Sequence, residues 1–454
     1  MKRLSLITIL IITILSACGP APAPTPIADT LFVEPGTSLG PISPYLFGTN
    51  YGPMHAVALD VLPLVEQGGF TTLRFPGGAW TDAADMKNFQ IDQLMTFSKQ
   101  VGAMPTISVR LLGGKPETAA ELVRYTNLKK KYGVTYWSIG NEPNIYTQLK
   151  QADYEYLPEN LNKEWRDIAV AMKAVDPTIK LMGPELSQWN ESYETTPKDP
   201  TQKDWMTEFL KANGDLLDVV TVHRYPMHSP SNGPVTVQQL RENTRKWVSE
   251  VEYLRTLIRE IVGRDLPIAI TEVNSDPSNA QLAAASPDSF YNAIWYADVL
   301  GQAMNADVFM INQWVLSQRT TGLGLFKGSE IRPSYYVFPL YKNFGSEQVY
   351  AASGVTDVDI FAAKRADGTL TLMVINLSDV EQRIPLQVQG IQLKEAEVWL
   401  LDATHNAENL GTQAFASDGT LTLPAQSATL YVIRWSLSPH RPYGHLPQIR
   451  RFKF

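Results

Sequence analysis

Eight short apolar runs, each ending in polar residues and followed by a stretch of helical length, recur between Pro41 and Val315. In order they are "ISPYLFGTNYG", "FTTLRFPGG", "PTISVRL", "TYWSIGNEPN", "IKLMGPEL", "DVVTVHRYP", "LPIAITEVN" and "DVFMINQWV". Runs this continuously apolar read as strands covered on both faces, as in a parallel sheet flanked by helices. The segments between them include "PETAAELVRYTNLKKKYG", "NLNKEWRDIAVAMKAVDP" and "ENTRKWVSEVEYLRTLIREIVG", with apolar residues at helical spacing. Eight strand–helix units over about 300 residues predict an α/β fold, a (β/α)8 TIM barrel, over residues 42–345. An open doubly wound sheet is the alternative, but no Gly-rich phosphate loop follows the first run to support it.

After "SYYVFPLYKNFG" the period changes. "VDIFAAKRADGTLTLMVINLS", "RIPLQVQG", "EAEVWLLDA" and "GTLTLPAQSATLYVIRW" alternate apolar and polar residues around the turn pairs Asp367-Gly368 and Asp418-Gly419. This predicts a C-terminal antiparallel β-sandwich over residues 346–437, to which residues 31–41, "LFVEPGTSLGP", add a strand. Residues 438–454 are basic and aperiodic, and read as a disordered tail rather than a binding arm.

The first 17 residues carry Lys2 and Arg3 and then an apolar run, Leu4–Ala17, that stops at Cys18, the chain's only cysteine. That run is too short to cross a hydrocarbon layer of about 30 Å and suits a signal peptide. "LSAC" resembles the lipobox of bacterial lipoproteins, which implies acylation of Cys18 and anchoring of an exported chain to the cell envelope. An ordinary secretory signal is the alternative. The Pro/Ala-rich residues 18–30 then form an extended linker. A net charge of -7 with no dense basic stripe in the body excludes nucleic acid as a partner. The six histidines lack metal-ligand spacing, so neither a metal nor a cofactor is expected.

In a barrel, the chemistry lies at the C-terminal ends of the strands. The residues there are Asn50, Arg74, Arg110, Asn141-Glu142, Glu185, His223, Tyr225, Glu272 and Trp314. Glu142 and Glu272 end the fourth and seventh runs, so they face each other across the mouth. Two facing carboxyls suit glycoside hydrolysis, one protonating the leaving oxygen while the other attacks carbon or activates water. That division of labour needs different environments: Arg74 would keep Glu272 ionised, and Glu142 would be raised by its charged neighbour. Each residue also has a plainer reading. Asn-Glu-Pro suits a helix-capping turn, Arg74 a loop salt bridge, and His223 or Trp314 a core position. Arg110, Glu185 and Arg224 are solvated charges or, for the arginines, recognise an acidic sugar. The insert "SQWNESYETTPKDPTQKDW" shapes the cleft or is a surface loop.

"IGNEPN" and "ITEVN" resemble the acid/base and nucleophile signatures of the retaining glycosidases built on (β/α)8 barrels. "TLRFPGG" and "DVVTVHRYP" resemble the second and sixth strands of α-L-arabinofuranosidases, whereas "NEPN" is similar to the β-xylosidase pattern. Val273 stands where both families carry Trp. The terminal β-sandwich is similar to the accessory domain of both. The resemblance implies a cofactor-independent hydrolase acting on carbohydrate, exo-acting and retaining, with Glu142 as acid/base and Glu272 as nucleophile. It further implies that Asn141 binds the sugar 2-hydroxyl, Arg74 and Tyr225 hold Glu272, and His223 sits near Glu142. Trp314 would wall the sugar site and Asn50 would support it. A non-catalytic glycan-binding lipoprotein on the same scaffold is the competing reading. Furanoside, xyloside and uronide substrates all stay open, as does the oligomeric state.

Overall fold

The computed structural model describes residues 27–434 apart from 191, 193, 228–234 and 279. The expected signal segment 1–17, Cys18, the start of the linker and the tail 438–454 lie outside the described residues.

A strand β1 (Leu31–Pro41) precedes eight strands that close into a parallel barrel in chain order: β2 (Tyr45–Asn50), β3 (Thr72–Phe75), β4 (Met104–Val109), β5 (Tyr136–Ile139), β6 (Lys180–Leu186), β7 (Val219–Arg224), β8 (Ile268–Val273) and β9 (Met310–Gln313). Each lies within one of the eight apolar runs, except that β4 begins one residue earlier, at Met104. Every residue of β3, β7, β8 and β9 is buried, because side chains on one face fill the barrel and those on the other meet the helical ring. The helix Pro158–Val175 shows how the ring is attached. Proline occupies its first turn, and Leu161, Trp165, Ile168, Ala169 and Met172 form its buried stripe. Trp165 meets Phe209 edge-on at 5.1 Å and lies against Gly183 of β6, where a Cβ would stand 2.9 Å from the indole nitrogen.

The two ends of the barrel differ. At the end where the strands begin, Met182, Val219, Ala269 and Met310 form an apolar plug with Tyr45, Met104, Tyr136 and Phe309. The rings of Tyr45, Tyr136 and Phe309 pack 5.2–5.9 Å apart. That end is closed, and the polar strand ends gather at the other.

After a small hairpin of β10 (Phe326–Lys327) and β11 (Glu330–Ile331) and the helical turns Pro333–Tyr336 and Val337–Lys342, the regular elements that follow are strands: β12 (Glu347–Ser353), β13 (Val358–Lys364), β14 (Leu370–Asn376), β15 (Gln382–Val388), β16 (Glu395–Leu401), β17 (Asn406–Ala414), β18 (Thr420–Leu423) and β19 (Ser427–Ile433). With β1 they form one hydrogen-bonded succession, β17-β16-β19-β14-β13-β12-β1-β15-β18, wrapped around its own apolar core. β1 pairs antiparallel with β12 but parallel with β15, so the sheet is antiparallel except at that one seam.

Period-two alternation gives this sheet two buried faces. Ile360, Ala362, Leu372, Val374, Tyr431 and Ile433 point into the sandwich. Their neighbours Phe361, Ala363, Met373, Ile375, Leu430 and Val432 join the barrel's core. The helix Phe290–Asn305 lies between the two bodies and is buried from Tyr291 to Met304, as an all-round apolar helix must be. Gly301 allows the contact, since a Cβ there would fall 2.1 Å from the Phe361 ring.

Candidate active site

The polar ends of six barrel strands converge on Arg74, which is wholly buried. Its guanidinium is a planar fork of donors. Nη1 donates to Asn50 Oδ1 at 2.9 Å and to Glu272 Oε1 at 2.8 Å. Nη2 donates to Asn141 Oδ1 at 2.9 Å and faces Glu185 Oε2 at 3.2 Å. One fork thus fixes residues from β2, β6 and β8 and the loop after β5, a task a single ammonium point charge does not perform. Asn50 is itself held by donating to the carbonyls of Thr271, Asn312 and Gln313. It is a buried prop for Arg74, set back from the cleft.

Glu272 receives a second donor, the Tyr225 hydroxyl, at 2.7 Å. It follows Thr271, and both reach the cluster although neighbours on a regular strand point to opposite faces. The ladder is irregular here, with register shifts on both sides of β8. Glu142 sits after Gly140 at the end of β5 with φ +53° and ψ +50°, and its backbone N–H donates to the Glu185 carbonyl at 2.9 Å. This left-handed turn carries the carboxyl out to the mouth. Gly140 is required for it, with φ +82° and space for a Cβ only 2.7 Å from Leu111. Arg74 donates to the Asn141 amide oxygen and Asp82 accepts from its backbone N–H, and the amide nitrogen has no partner among the described residues.

His223 joins the two halves. Nδ1 lies 3.0 Å from Glu142 Oε1 and 3.7 Å from Glu272 Oε2, and Nε2 lies 3.0 Å from Glu185 Oε2. Burial works against a charged ring, but Glu272, Glu142 and Glu185 outweigh it and raise His223 to about 9. Burial likewise opposes ionisation of Glu185, yet Arg74, His223 and the Ser138 hydroxyl bring it down to about 2. Within the facing pair, burial raises both carboxyls, and their partners separate them. The hydrogen bond and charge of His223, with Ser187 and Arg74, hold Glu142 below its ordinary range. Glu272 stays above it, with the charge of Glu142 adding to burial and exceeding what His223, Arg74 and Tyr225 take away. This order reverses the expectation from sequence, because the imidazole lies against Glu142 and not midway between the two.

Both ring nitrogens of His223 face carboxylate oxygens, which constrains the proton. An imidazolium donates to both, whereas a neutral ring donates to one and accepts from a protonated carboxyl on the other. Glu185 has three further donors and remains ionised, so the proton lies on His223 or on Glu142, across one 3.0 Å hydrogen bond. Donor atoms of Glu142, His223 and Glu272 lie within 4.8 Å of one another. Arg74, Tyr225 and the imidazole already serve those oxygens, and we read the set as proton-sharing rather than as a metal centre.

Of the other candidates, Trp314 is half-buried beside the cluster. It meets His55 edge-on at 5.3 Å and lies over Gly77 and Gly78, where a Cβ at Gly78 would fall 2.3 Å from the ring. That contact is the physical reason for "RFPGG". Arg224 turns away from the mouth and pairs with Glu250 at 2.6–2.9 Å. Arg110 donates its Nε to the Leu112 carbonyl and lines a separate cavity of about 510 Å³ with Asp82 and Tyr154. The insert closes on the site at its start, where Ser187 bonds Asn144 and the Trp189 N–H donates to the His223 carbonyl.

Two acids escaped a role in the sequence. Glu185 is visible there only as a strand end. Asp82, in the four-residue helix Trp80–Ala83, accepts from the backbone N–H groups of Leu111, Leu112 and Asn141 and from the Tyr146 hydroxyl. Its only signal is its place just after the Gly-Gly turn.

A family profile described as Glycosyl hydrolases family 39 matches residues 120–381, more than half of the chain and inclusive of Glu142, His223 and Glu272. The chain belongs to glycosyl hydrolase family 39. This family-39 chain also matches, over residues 356–426, the C-terminal immunoglobulin-like domain of D-apionate lactonase. It is 24% identical over 261 residues to the intracellular exo-α-(1→5)-L-arabinofuranosidase of Streptomyces lividans, covering 45% of this chain and 37% of that one. It is 23% identical over 278 residues to heparanase of Rattus norvegicus, covering 57% of this chain and 47% of that one. It therefore spans less than half the length of these curated relatives. Among solved structures, α-L-arabinofuranosidase from Thermotoga maritima in complex with arabinose aligns over 89% of this chain and 99% of its own, at TM-score 0.69 and 19% identity. That likeness establishes the fold, a barrel with its strand-rich appendage.

Proposed function

We propose that this family-39 hydrolase is a retaining, exo-acting glycosidase of the α-L-arabinofuranosidase or β-xylosidase type, with Glu272 as nucleophile and Glu142 as acid/base. One observation carries the reading: an oxygen of Glu142 and an oxygen of Glu272 lie within 4.8 Å of each other across the mouth. Retaining pairs stand about 5–5.5 Å apart, and inverting pairs leave about 6.5–9.5 Å for a water. The surroundings support the roles. Arg74 and Tyr225 fix both oxygens of Glu272, and the proton of the Glu142–His223 bond is one hydrogen bond from the leaving group.

In the first step Glu272 attacks the anomeric carbon, the bond to the leaving oxygen breaks, and Glu142 passes its proton to that oxygen. In the second, water adds to the anomeric carbon and gives its proton to Glu142, and Glu272 departs as a carboxylate. The free amide nitrogen of Asn141 donates to the 2-hydroxyl in both, and Trp314 supplies an apolar face for the ring. Exo action is supported by the name of the Streptomyces lividans relative.

Export rests on different residues. Lys2, Arg3, the run Leu4–Ala17 and Cys18 support a lipid-anchored protein outside the cytoplasm of a bacterium. Labelled fatty acid is expected to enter the wild-type chain and to be lost from Cys18→Ser.

The activity test is a panel of nitrophenyl α-L-arabinofuranoside, β-D-xyloside and β-D-glucuronide with wild type and Glu272→Ala. The variant is expected to lose turnover on the preferred glycoside and to regain it with azide. Unchanged turnover in Glu272→Ala, or binding of glycans by the wild type with no hydrolysis across the panel, contradicts the proposal.

A further inference from the structure

We propose that Glu185 is a positioning residue of the reaction: it anchors the far side of His223 so that Nδ1 and its proton stay on Glu142, ready for the leaving oxygen. The inference rests on the glycosidase reading above and goes beyond it, since Glu185 reaches neither the cleft nor the sugar. It is wholly buried. Its Oε2 faces His223 Nε2 at 3.0 Å and Arg74 Nη2 at 3.2 Å and also accepts from the Thr271 hydroxyl. Oε1 accepts from the Ser138 hydroxyl. Its backbone carbonyl accepts from the N–H of Glu142 at 2.9 Å, and its N–H donates to Thr221 Oγ1. Its side chain thus touches both the partner of the acid and the partner of the nucleophile, and its main chain holds the backbone of the acid.

Two features show that this is more than packing. First, Glu185 has φ +60°, a left-handed conformation that costs a residue with a Cβ and that glycine would relieve. The site nevertheless holds a carboxylate there. Second, the charges make its sign matter. The groups facing His223 are Glu142 from the loop after β5, Glu185 from β6 and Glu272 from β8, with Arg74 from β3 behind them. Arg74 neutralises one negative charge. A second beside the ring holds the proton on the His223–Glu142 bond, and Glu185 is the one that chemistry does not consume: Glu272 becomes an ester in the first step, while Glu185 stays ionised throughout. It keeps Nε2–H satisfied and leaves Nδ1 as the only end through which the proton moves.

The test is Glu185→Gln, which keeps the shape and removes the charge, beside Thr271→Val, which loosens the same pocket and leaves the charge in place. The first readout is the NMR titration of the His223 ring, which needs no substrate. Its midpoint is expected near 9 in wild type, unchanged in Thr271→Val, and lower by about 1–3 units in Glu185→Gln. The second readout compares methyl and 2,4-dinitrophenyl glycosides of the sugar the panel identifies. Glu185→Gln is expected to lose turnover of the methyl glycoside, which needs the acid, from lower pH than wild type, and to retain that of the dinitrophenyl glycoside, which does not. An unmoved His223 midpoint, or equal losses on both substrates at every pH, overturns the proposal. Should Glu185→Gln fail to fold, the wild-type titration decides: a midpoint at the ordinary histidine value overturns it as well. Because the ring titration is independent of turnover, failure of the glycosidase reading and failure of this one register in different measurements.

Discussion

Two clusters of buried carboxyls in this molecule solve the same electrostatic problem in opposite ways. At the barrel mouth, Glu142, Glu185 and Glu272 are answered by Arg74 and His223. At the seam between barrel and sandwich, Asp298, in the buried helix Phe290–Asn305, faces Asp359 of β13; Arg241 and Arg245 pair with Asp357, and the charge of Arg245 only partly offsets the rise of Asp359. Burial is the largest cause raising both seam carboxyls, Asp359 to about 6 and Asp298 further. At the mouth cations hold the carboxylate charge of Glu185, and at the seam burial favours the protonated, uncharged form. The signs of their pH dependence are opposite. Glu185, depressed to about 2, contributes stability above the ordinary carboxylate value that is lost as pH falls towards 2. The seam pair contributes stability that is full below about 3.8 and is lost as pH rises through about 6 and beyond.

The largest expected effect breaks the mouth. Arg74→Ala removes the cation paired with two carboxyls, Glu185 and Glu272, and should abolish turnover and cost about 3–5 kcal/mol in denaturant unfolding at pH 7. Unfolding unchanged within error would show that the fork is not what holds the cluster. Next, Asp298→Asn removes one of the two titrating groups from the seam. Wild type should lose stability between pH 5 and pH 8, and the variant should be flatter and about 1–3 kcal/mol more stable than wild type at pH 8. A variant with the wild-type slope would place the pH dependence elsewhere. Trp314→Ala should raise KM about tenfold, with a smaller change in kcat if the indole only walls the ring. The smallest effect calibrates the rest: Lys163 and Asp167 pair at 2.6 Å on an exposed helix face, and Lys163→Ala should move unfolding by less than about 0.5 kcal/mol.

The barrel was legible because each strand, buried on both faces, writes itself as an unbroken apolar run, and the sandwich because alternation replaces those runs after Gly345. Glu142 and Glu272 were legible because strand order places the fourth and seventh strands opposite each other. Arg74 and Tyr225 both donate to Glu272, and His223 lies 3.0 Å from Glu142. What stayed hidden depends on contacts without a local signal. Glu185 gains its meaning from His223, 38 residues away, and Arg224 from Glu250, 26 residues away. Asp82 serves backbone N–H groups, which no residue pattern marks. The order of the two facing carboxyls was expected the other way because it turns on which of them the imidazole touches, a matter of 0.7 Å between 3.0 and 3.7 Å. Asp298 had one sign in the sequence, an acid in the middle of "WYADVL", where a helix with no polar face has no water to offer it.

On the proposed reading, Glu142 and Glu272 act as acid and nucleophile through a covalent intermediate. Following the first-formed sugar by proton NMR, before mutarotation, tests it most directly. The account predicts a product with the substrate's anomeric configuration, and a first product of inverted configuration would contradict it.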